Sequence, residues 1–308
     1  MWTVIISILA VFILFFIIIM IVDGNRFVIR EYTIESDKIA DDIKLAVCAD
    51  LHNKQYGRNN IKLLHAVDRI QPDVILTAGD MLTAKPGKSF EAAAGFMECL
   101  AQEYPVCYGI GNHEYRMKIY PEDYGDSYER YIRRLKKAGI TVLDNESIKV
   151  PVTGAGNNGA RCDQNKIGNL KNEKWLRITG VSIERRYYKR FRKIEMEEQY
   201  LESQVGKPDQ DSYQILLAHN PEYFEEYAKW GADLVLSGHI HGGIMRLPVL
   251  GGVISPKLVL FPKYDGGLFK QNASVMVLSR GLGMHTLPIR IFNPGELVVI
   301  HLKSCKSK

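Results

Sequence analysis

IKLAVCADLH, Ile43 to His52, runs an apolar stretch straight into a carboxylate and an imidazole. Leu45 to Ala49 shows no polar alternation, so the stretch is expected to be a strand buried on both faces, with Asp50 and His52 just past its end. The same arrangement returns four times. VILTA (74–78) leads to Gly79-Asp80, and VCYGI (106–110) leads to Gly111-Asn112-His113-Glu114. YQILLA (213–218) leads to His219-Asn220, and LVLS (234–237) leads to Gly238-His239-Ile240-His241. One histidine on such a chain is usually structural. Ligand-type residues at five successive strand ends argue instead for one assembled metal site.

Helical spacing fills the gaps between the early strands. Residues 59–70 place Ile61, Leu64, His65 and Ile70 on a helix that Pro72-Asp73 ends, and Phe90–Leu100 and Tyr128–Ala138 are also helical. Alternating strands and helices predict an α/β core with helices covering sheet faces. The middle differs: residues 146–182 suggest short strands around a polar loop, 154–172, in a partly antiparallel sheet. Next comes Glu184–Ser203, with Arg185, Arg186, Lys189, Arg190, Arg192 and Lys193 ahead of Glu195, Glu197 and Glu198. It suits either a solvated surface helix or a basic, tyrosine-bearing cap that holds phosphate or meets a membrane. Strand-like runs resume at 213–218, 234–237, 275–279 and 297–302. We expect one catalytic domain over 43–308, preceded by a polar connector, 23–42, with a strand-like piece at Phe27–Tyr32.

Trp2 to Val22 contains no charge. Twenty-one helical residues cover roughly 30 Å, about one bilayer core, so this stretch is expected to be a single transmembrane anchor through residues 2–22. A cleaved signal peptide fits less well, because no Lys or Arg precedes the run and no small-residue cleavage site closes it. Arg26, Arg30 and Lys38 follow the helix, which leans the large domain towards the cytoplasm at the cell membrane. Hydrophobic content of 46% and charged content of 24% exclude a disordered chain. A net charge of +5 is too small to argue for specific nucleic-acid binding. The five cysteines have neither metal-type nor redox-type spacing, and Cys48 and Cys107 fall inside apolar runs as small core residues.

Imidazole and carboxylate ligands together favour Mn, Fe, Zn or similar ions. Two such ions about 3.5–4 Å apart activate water and clamp phosphate oxygens. In order along the chain, D-x-H (Asp50, His52), G-D (Asp80), G-N-H-E (Asn112, His113, Glu114), a later His219 and G-H-x-H (His239, His241) resemble the calcineurin-like metallophosphoesterase superfamily over roughly residues 43–302. The resemblance implies a four-layer α/β/β/α sandwich and two divalent metal ions. Asp50, His52 and His241 would hold one ion, Asn112, His219 and His239 the other, and Asp80 would bridge them. His113 would stand outside the metal shell as the catalytic residue, stabilising the transition state or protonating the leaving oxygen. The implied reaction is in-line hydrolysis of a phosphate ester or anhydride, with no covalent nucleophile.

Leu217–Pro221, Gly238–Gly243, Arg246–Pro248 and Ser279–Gly283 look closest to small bacterial phosphoesterases with an N-terminal apolar segment. That branch commonly carries Thr within G-H-x-H and Gln after the two glycines; Ile240 and Ile244 replace them here. Glu114 is expected either to orient His113 or its neighbourhood, or to sit in a surface salt bridge. Arg116 is a candidate phosphate contact set against a surface role, and His285 a candidate at the mouth. His65 and His301 fall in helix and strand patterns without a catalytic role. The anchor favours a phosphodiester or pyrophosphate in a lipid-linked or membrane-proximal substrate. A nuclease, a nucleotide phosphodiesterase and a non-catalytic metal-binding scaffold are the competing readings.

Overall fold

The computed structural model describes residues 1–151, 175–189, 192–247, 250–255, 259–284 and 289–305. The apolar N-terminal run forms helix α1 (Trp2–Asn25), and the chain passes directly into strand β1 (Phe27–Ser36). The next strands are β2 (Ile43–Cys48), β3 (Val74–Thr77), β4 (Val106–Gly109) and β5 (Thr141–Leu143). Between them lie helices α2 (Ile61–Ile70), α3 (Glu91–Glu103), α4 (Asn112–Ile119), α5 (Pro121–Tyr124) and α6 (Ser127–Lys137). α2 ends where Gln71 turns left-handed (φ 50°) ahead of Pro72, which cannot continue a helix.

The second half supplies β6 (Glu146–Pro151), β7 (Trp175–Val181), α7 (Tyr200–Val205), β8 (Tyr213–Ala218), α8 (Phe224–Trp230) and β9 (Leu234–Ser237). It closes with β10 (Arg246–Leu247), β11 (Gly251–Gly252), β12 (Gly267–Gln271), β13 (Ser274–Leu278) and β14 (Gly295–Ser304). Two six-stranded sheets result, in the orders β1-β14-β2-β3-β4-β5 and β12-β13-β9-β8-β7-β6. β2 to β5 run parallel in the first, and β7, β8, β9 and β13 run parallel in the second. β6 pairs antiparallel with β7, as the middle of the sequence suggests.

Burial on both strand faces explains the near-continuous apolar runs. Leu45, Val47, Leu76 and Val298 of the first sheet interleave with Ile178, Ile215, Leu217 and Leu236 of the second. The opposite face of the first sheet, with Ala46, Cys48, Ile75 and Tyr108, packs on Leu63, Phe96 and Leu135 of α2, α3 and α6. Leu216, Ala218 and Val235 on the outer face of the second sheet meet Leu201, Phe224 and Tyr227 of α7 and α8. This is the expected four-layer sandwich. Each fully buried side chain of this size contributes about 1.5–3 kcal/mol.

Two expectations change. The stretch 23–42 is not a connector: β1 pairs with β14 over ten residues and forms an edge of the first sheet. Its alternating polar positions gave a weak signal, because an edge strand leaves one side to solvent. The basic stretch 184–203 is not one surface helix. Arg185–Tyr188 forms a 3₁₀ turn, residues 192–197 are irregular, and α7 begins only at Tyr200. Tyr187 and Met196 are drawn into the core beside α8 and anchor the segment at points unrelated to helical period. Arg190 and the polar loop 154–172 lie outside the described residues.

Candidate metal centre

All five ligand-bearing turns meet at the carboxyl ends of parallel strands: β2, β3 and β4 in one sheet, β8 and β9 in the other. Parallel strands end together, so residues far apart in sequence arrive at one edge of the sandwich. The turns themselves are unusual. Asp50, His52, Asp80, His239 and His241 all have positive φ, between 51° and 74°. Left-handed backbone at residues other than glycine costs of order 1–3 kcal/mol each, and it aims these side chains inwards. Gly111 sits where a Cβ would overlap the Asp80 carboxylate. Its smallness lets the β4 turn close on the β3 turn.

Three overlapping groups of donors converge: Asp50 with His52 and His241, Asp80 with His219 and His239, and His52 with Asp80 and His113. Asp80 Oδ2 lies 3.2 Å from His219 Nε2, 3.8 Å from His52 Nε2 and 3.9 Å from His113 Nε2. Asp50 Oδ1 lies 3.4 Å from His241 Nε2 and 3.7 Å from His219 Nε2. The Nε2 atoms of His52 and His241 approach to 3.1 Å. Asp50 also accepts the His239 backbone N–H at 3.0 and 3.1 Å, which ties the β2 turn to the β9 turn across the two sheets.

Asn112 opens α4, next to His113, whose backbone N–H donates to Asp80 Oδ1 at 2.7 Å. Its Oδ1 is buried and has no hydrogen-bond partner among the described residues. A buried lone pair of that kind is costly unless something electropositive meets it. With the crowded imidazole nitrogens and two buried carboxylates, it fits a site built for cations.

Hydrogen bonds fix the tautomers. His219 Nδ1 faces the carbonyl of Ala78 at 2.6 Å. The ring must donate there, which leaves the Nε2 lone pair pointing at Asp50 and Asp80 as a ligand requires. His113 is the reverse case. Its Nδ1 accepts the Ala84 N–H at 2.8 Å, so the proton of the neutral ring sits on Nε2 and points into the cluster. The His113 side chain is 16% exposed, against at most 5% for His52, His219 and His241, so it stands at the mouth.

Electrostatics divide the two carboxylates. Burial pushes Asp50 up to about 7, and nearby Asp80 adds to this, partly offset by His219. Asp80 is buried too, but the His219, His113 and His52 rings override that cost and hold it well below the usual carboxylate range. Burial opposes a second proton on His219, but Asp80 and Asp50 raise it to about 9, so the proton on Nε2 occupies the position that a cation would take. Burial lowers His113 against the pull of Asp80, with His219, Arg116 and Lys88 acting in the same direction as burial. The cluster therefore draws in positive charge. Chelating the metals from the folded chain in detergent is expected to lower Tm by roughly 5–10 °C, from about 2.7 kcal/mol of ligand linkage at a hundredfold excess over Kd. Calorimetry with and without chelator measures it, and an unchanged Tm would count against a cation-built site.

Some expectations about neighbouring residues change. Glu114 orders the neighbourhood of His113 rather than forming a surface salt bridge: it is fully buried and accepts bonds from the N–H groups of Gly111, Asp80, Met81 and Leu82 and from Tyr108 Oη at 2.7 Å. A carboxylate at the third position of α4 lies where unpaired N–H groups gather, and the β3 turn brings more. Arg116 is exposed on α4. His301 pairs with Glu31 across β14 and β1, and His65 is exposed on α2, so neither joins the cluster. His285 lies outside the described residues. Ile240 is buried, while the Ile244 N–H donates to the Ile254 carbonyl at 2.8 Å just ahead of a small sheet beyond the site.

Other residues carry the site without an obvious mark in the sequence. Tyr188 packs its ring edge-on to His239 at 4.9 Å. Asn220 holds that segment in place by donating to the Tyr187 carbonyl at 2.9 Å. Arg290, buried, donates to the carbonyls of Arg280, Gly281, Gly283 and Asn293 and fixes the loop behind Asp50. Asn293 Nδ2 donates to the carbonyls of His241 and Gly243, both at 2.7 Å. Asn220 stood beside His219 in the fourth turn and the tyrosines lay within the basic stretch, but Arg290 and Asn293 had no mark.

The sequence profile of the calcineurin-like phosphoesterase family matches residues 43–243, which include all five ligand-bearing turns. A metallophosphoesterase of Aquifex aeolicus is 27% identical over 281 residues, 89% of this chain and 91% of that one. A Campylobacter jejuni metallophosphoesterase is 24% identical, covering 90% of this chain and 64% of its own. A Danio rerio transmembrane protein with a metallophosphoesterase domain is 25% identical over 85% of this chain, which spans about half (53%) of that relative. Together with a donor cluster assembled inside the matched region, this shows that the chain belongs to the calcineurin-like phosphoesterase family, whose members are phosphoric ester hydrolases built on a dimetal centre.

Proposed function

We propose that this enzyme hydrolyses a phosphodiester or pyrophosphate bond in a lipid-linked or membrane-proximal substrate. The observation that supports the membrane part is a hydrogen-bonded path from the anchor to the site. Asp23, buried near the end of α1, accepts the Asn293 backbone N–H at 2.9 Å, and the Asn293 side chain holds the His241 carbonyl. α1 is long and apolar enough to cross a membrane, and none of its apolar window is buried against the domain. A bilayer-embedded α1 would keep the site within reach of lipid head groups.

In this reading Asp50, His52 and His241 would hold one ion, Asn112, His219 and His239 the other, and Asp80 would serve both. When bound, the ions polarise the phosphoryl oxygens and increase the acidity of water at neutral pH. The chain's own groups do the rest. The Ala78 carbonyl keeps the His219 lone pair aimed inwards. His113 presents Nε2–H at the mouth, where it donates to an equatorial oxygen or to the leaving oxygen as the bond to phosphorus breaks. Arg116 and Lys88, both exposed and near enough to depress His113, add positive potential on the approach side.

His113→Ala is expected to keep both metals and lose about 10²–10⁴ in kcat. Equal loss of metal in that variant would reassign His113 to the ligand set. The substrate reading is tested with the full chain in vesicles and added Mn, against a lipid-linked pyrophosphate, a phospholipid, a nucleotide diester and a soluble model diester. Faster turnover of the vesicle-borne substrates is expected; preference for the nucleotide diester would favour a nucleotide phosphodiesterase. Arg26, Arg30 and Lys38 favour the cytoplasmic side for the domain, a reading that residue-accessibility labelling in intact cells would reverse if the domain were labelled from outside.

A further inference from the structure

Beyond residue 25, eight large apolar side chains are exposed among the described residues, and five of them gather on one small β platform: Leu250, Val259, Leu260, Phe261 and Phe292. The platform is continuous. Ile291 bridges Met245, β10 pairs with β11, Ile254 bridges Leu260, and Phe261 N–H donates to the Val253 carbonyl at 2.9 Å. Leu250 and Leu260 are 62% and 63% exposed, and Phe261 57%. Phe261 and Phe292 also have φ of 47° and 52°, a conformation costly for a bulky residue, yet their rings are left in the open. A soluble face gains nothing from that combination.

The position of the platform indicates what covers it. Phe292 meets Phe16 of α1 edge-to-face at 6.4 Å, and the neighbouring Asn293 is hydrogen-bonded to Asp23. Phe16 lies six residues before Val22, roughly 9 Å back along the helix at 1.5 Å per residue. If α1 spans a bilayer, Phe292 is therefore held at the depth of the hydrocarbon. At the foot of the helix, Arg26, Lys62 and Arg69 line a cleft of about 650 Å³, along with Asp68 and His65. That mostly cationic rim suits anionic head groups.

We propose that the platform is a second membrane-seating surface, inserted in the lipid beside α1. Because Asn293 also holds the His241 and Gly243 carbonyls, such seating sets the height of the metal-ligand loop above the bilayer. The inference rests on α1 crossing the membrane, and its test separates the two ideas. The full chain, in phosphatidylethanolamine–phosphatidylglycerol vesicles, carries photoreactive p-benzoylphenylalanine in place of Phe261, or in separate samples Leu250, Phe16 or Ile119. After irradiation, mass spectrometry counts lipid adducts. At least tenfold more adduct at positions 261 and 250 than at 119, with adduct at 16, is expected. Adduct at 16 but none above the level at 119 for 261 and 250 overturns the platform and leaves the anchor standing. No adduct at any position overturns both, and adduct at 261 and 250 without 16 removes the anchor and with it the seating beside α1.

Discussion

Asp80→Ala is expected to cut hydrolysis by at least ~10³-fold and to bring bound metal from two ions per chain to one or fewer. The reason is its position. Asp80 belongs to two of the three converging donor groups, and its Oδ2 faces His219, His52 and His113 at once. Burial would normally favour protonation, but the three rings keep the carboxyl ionised, so the variant removes a charge that the whole cluster is arranged around. Asp80→Asn separates charge from shape, since the amide can still accept the His113 N–H through its carbonyl oxygen. It is expected to keep the fold while losing most of the activity. Metal analysis and kinetics on the same preparation decide the matter. Two retained ions with activity within tenfold of the parent would end the assignment of Asp80 to the bridging position.

Glu114→Ala is expected to cause the largest loss of stability, roughly 3–5 kcal/mol, because it strands several buried donors together. Gly111, Asp80 and Met81 each lose the carboxylate partner of their N–H at 2.9–3.1 Å, and Tyr108 loses its acceptor at 2.7 Å. No water-filled surface is at hand, since Glu114 and Tyr108 are both fully buried. At about 2–4 °C per kcal/mol for a domain near this size, Tm should fall by roughly 10 °C. Glu114→Gln keeps one acceptor oxygen but turns an NH₂ towards N–H groups, so its Tm should fall between the two. Thermal unfolding at fixed metal concentration measures this. A Tm for Glu114→Ala within 2 °C of the parent would show that the clamp contributes little.

The contrast between these residues explains what was legible beforehand. Asp50, Asp80, His219 and His239 could be read because each follows an apolar run that forms a strand, and strand ends of a parallel sheet share an edge. Glu114 stood in the same motif, but its partners come from the β3 turn, more than thirty residues away. Nothing local distinguishes a buried acceptor of that kind from a surface carboxylate. The strand at Phe27–Tyr32 was legible, but its place in the sheet was not, for a related reason. Its alternating polar residues are those of a linker as well as an edge strand, and its partner β14 lies at the other end of the chain. Arg185–Tyr188 looked helical by composition, whereas Asn220 and the α8 contacts decide its path and bring Tyr188 onto His239.

The sequence by itself determined the donor types, their order, the α/β layering and the apolar length of α1, because these depend on local pattern and strand-end chemistry. Only the tertiary structure decided which lone pairs converge, which tautomers His219 and His113 adopt, and how the anchor joins the site. Those outcomes rest on left-handed turns at Asp50, His52, Asp80, His239 and His241, and on bonds such as Asp23 to Asn293 between residues 270 positions apart. A positive φ at an aspartate or histidine is unfavourable on its own, so no local preference announces it; it persists only where the packed sheets over-determine the turn.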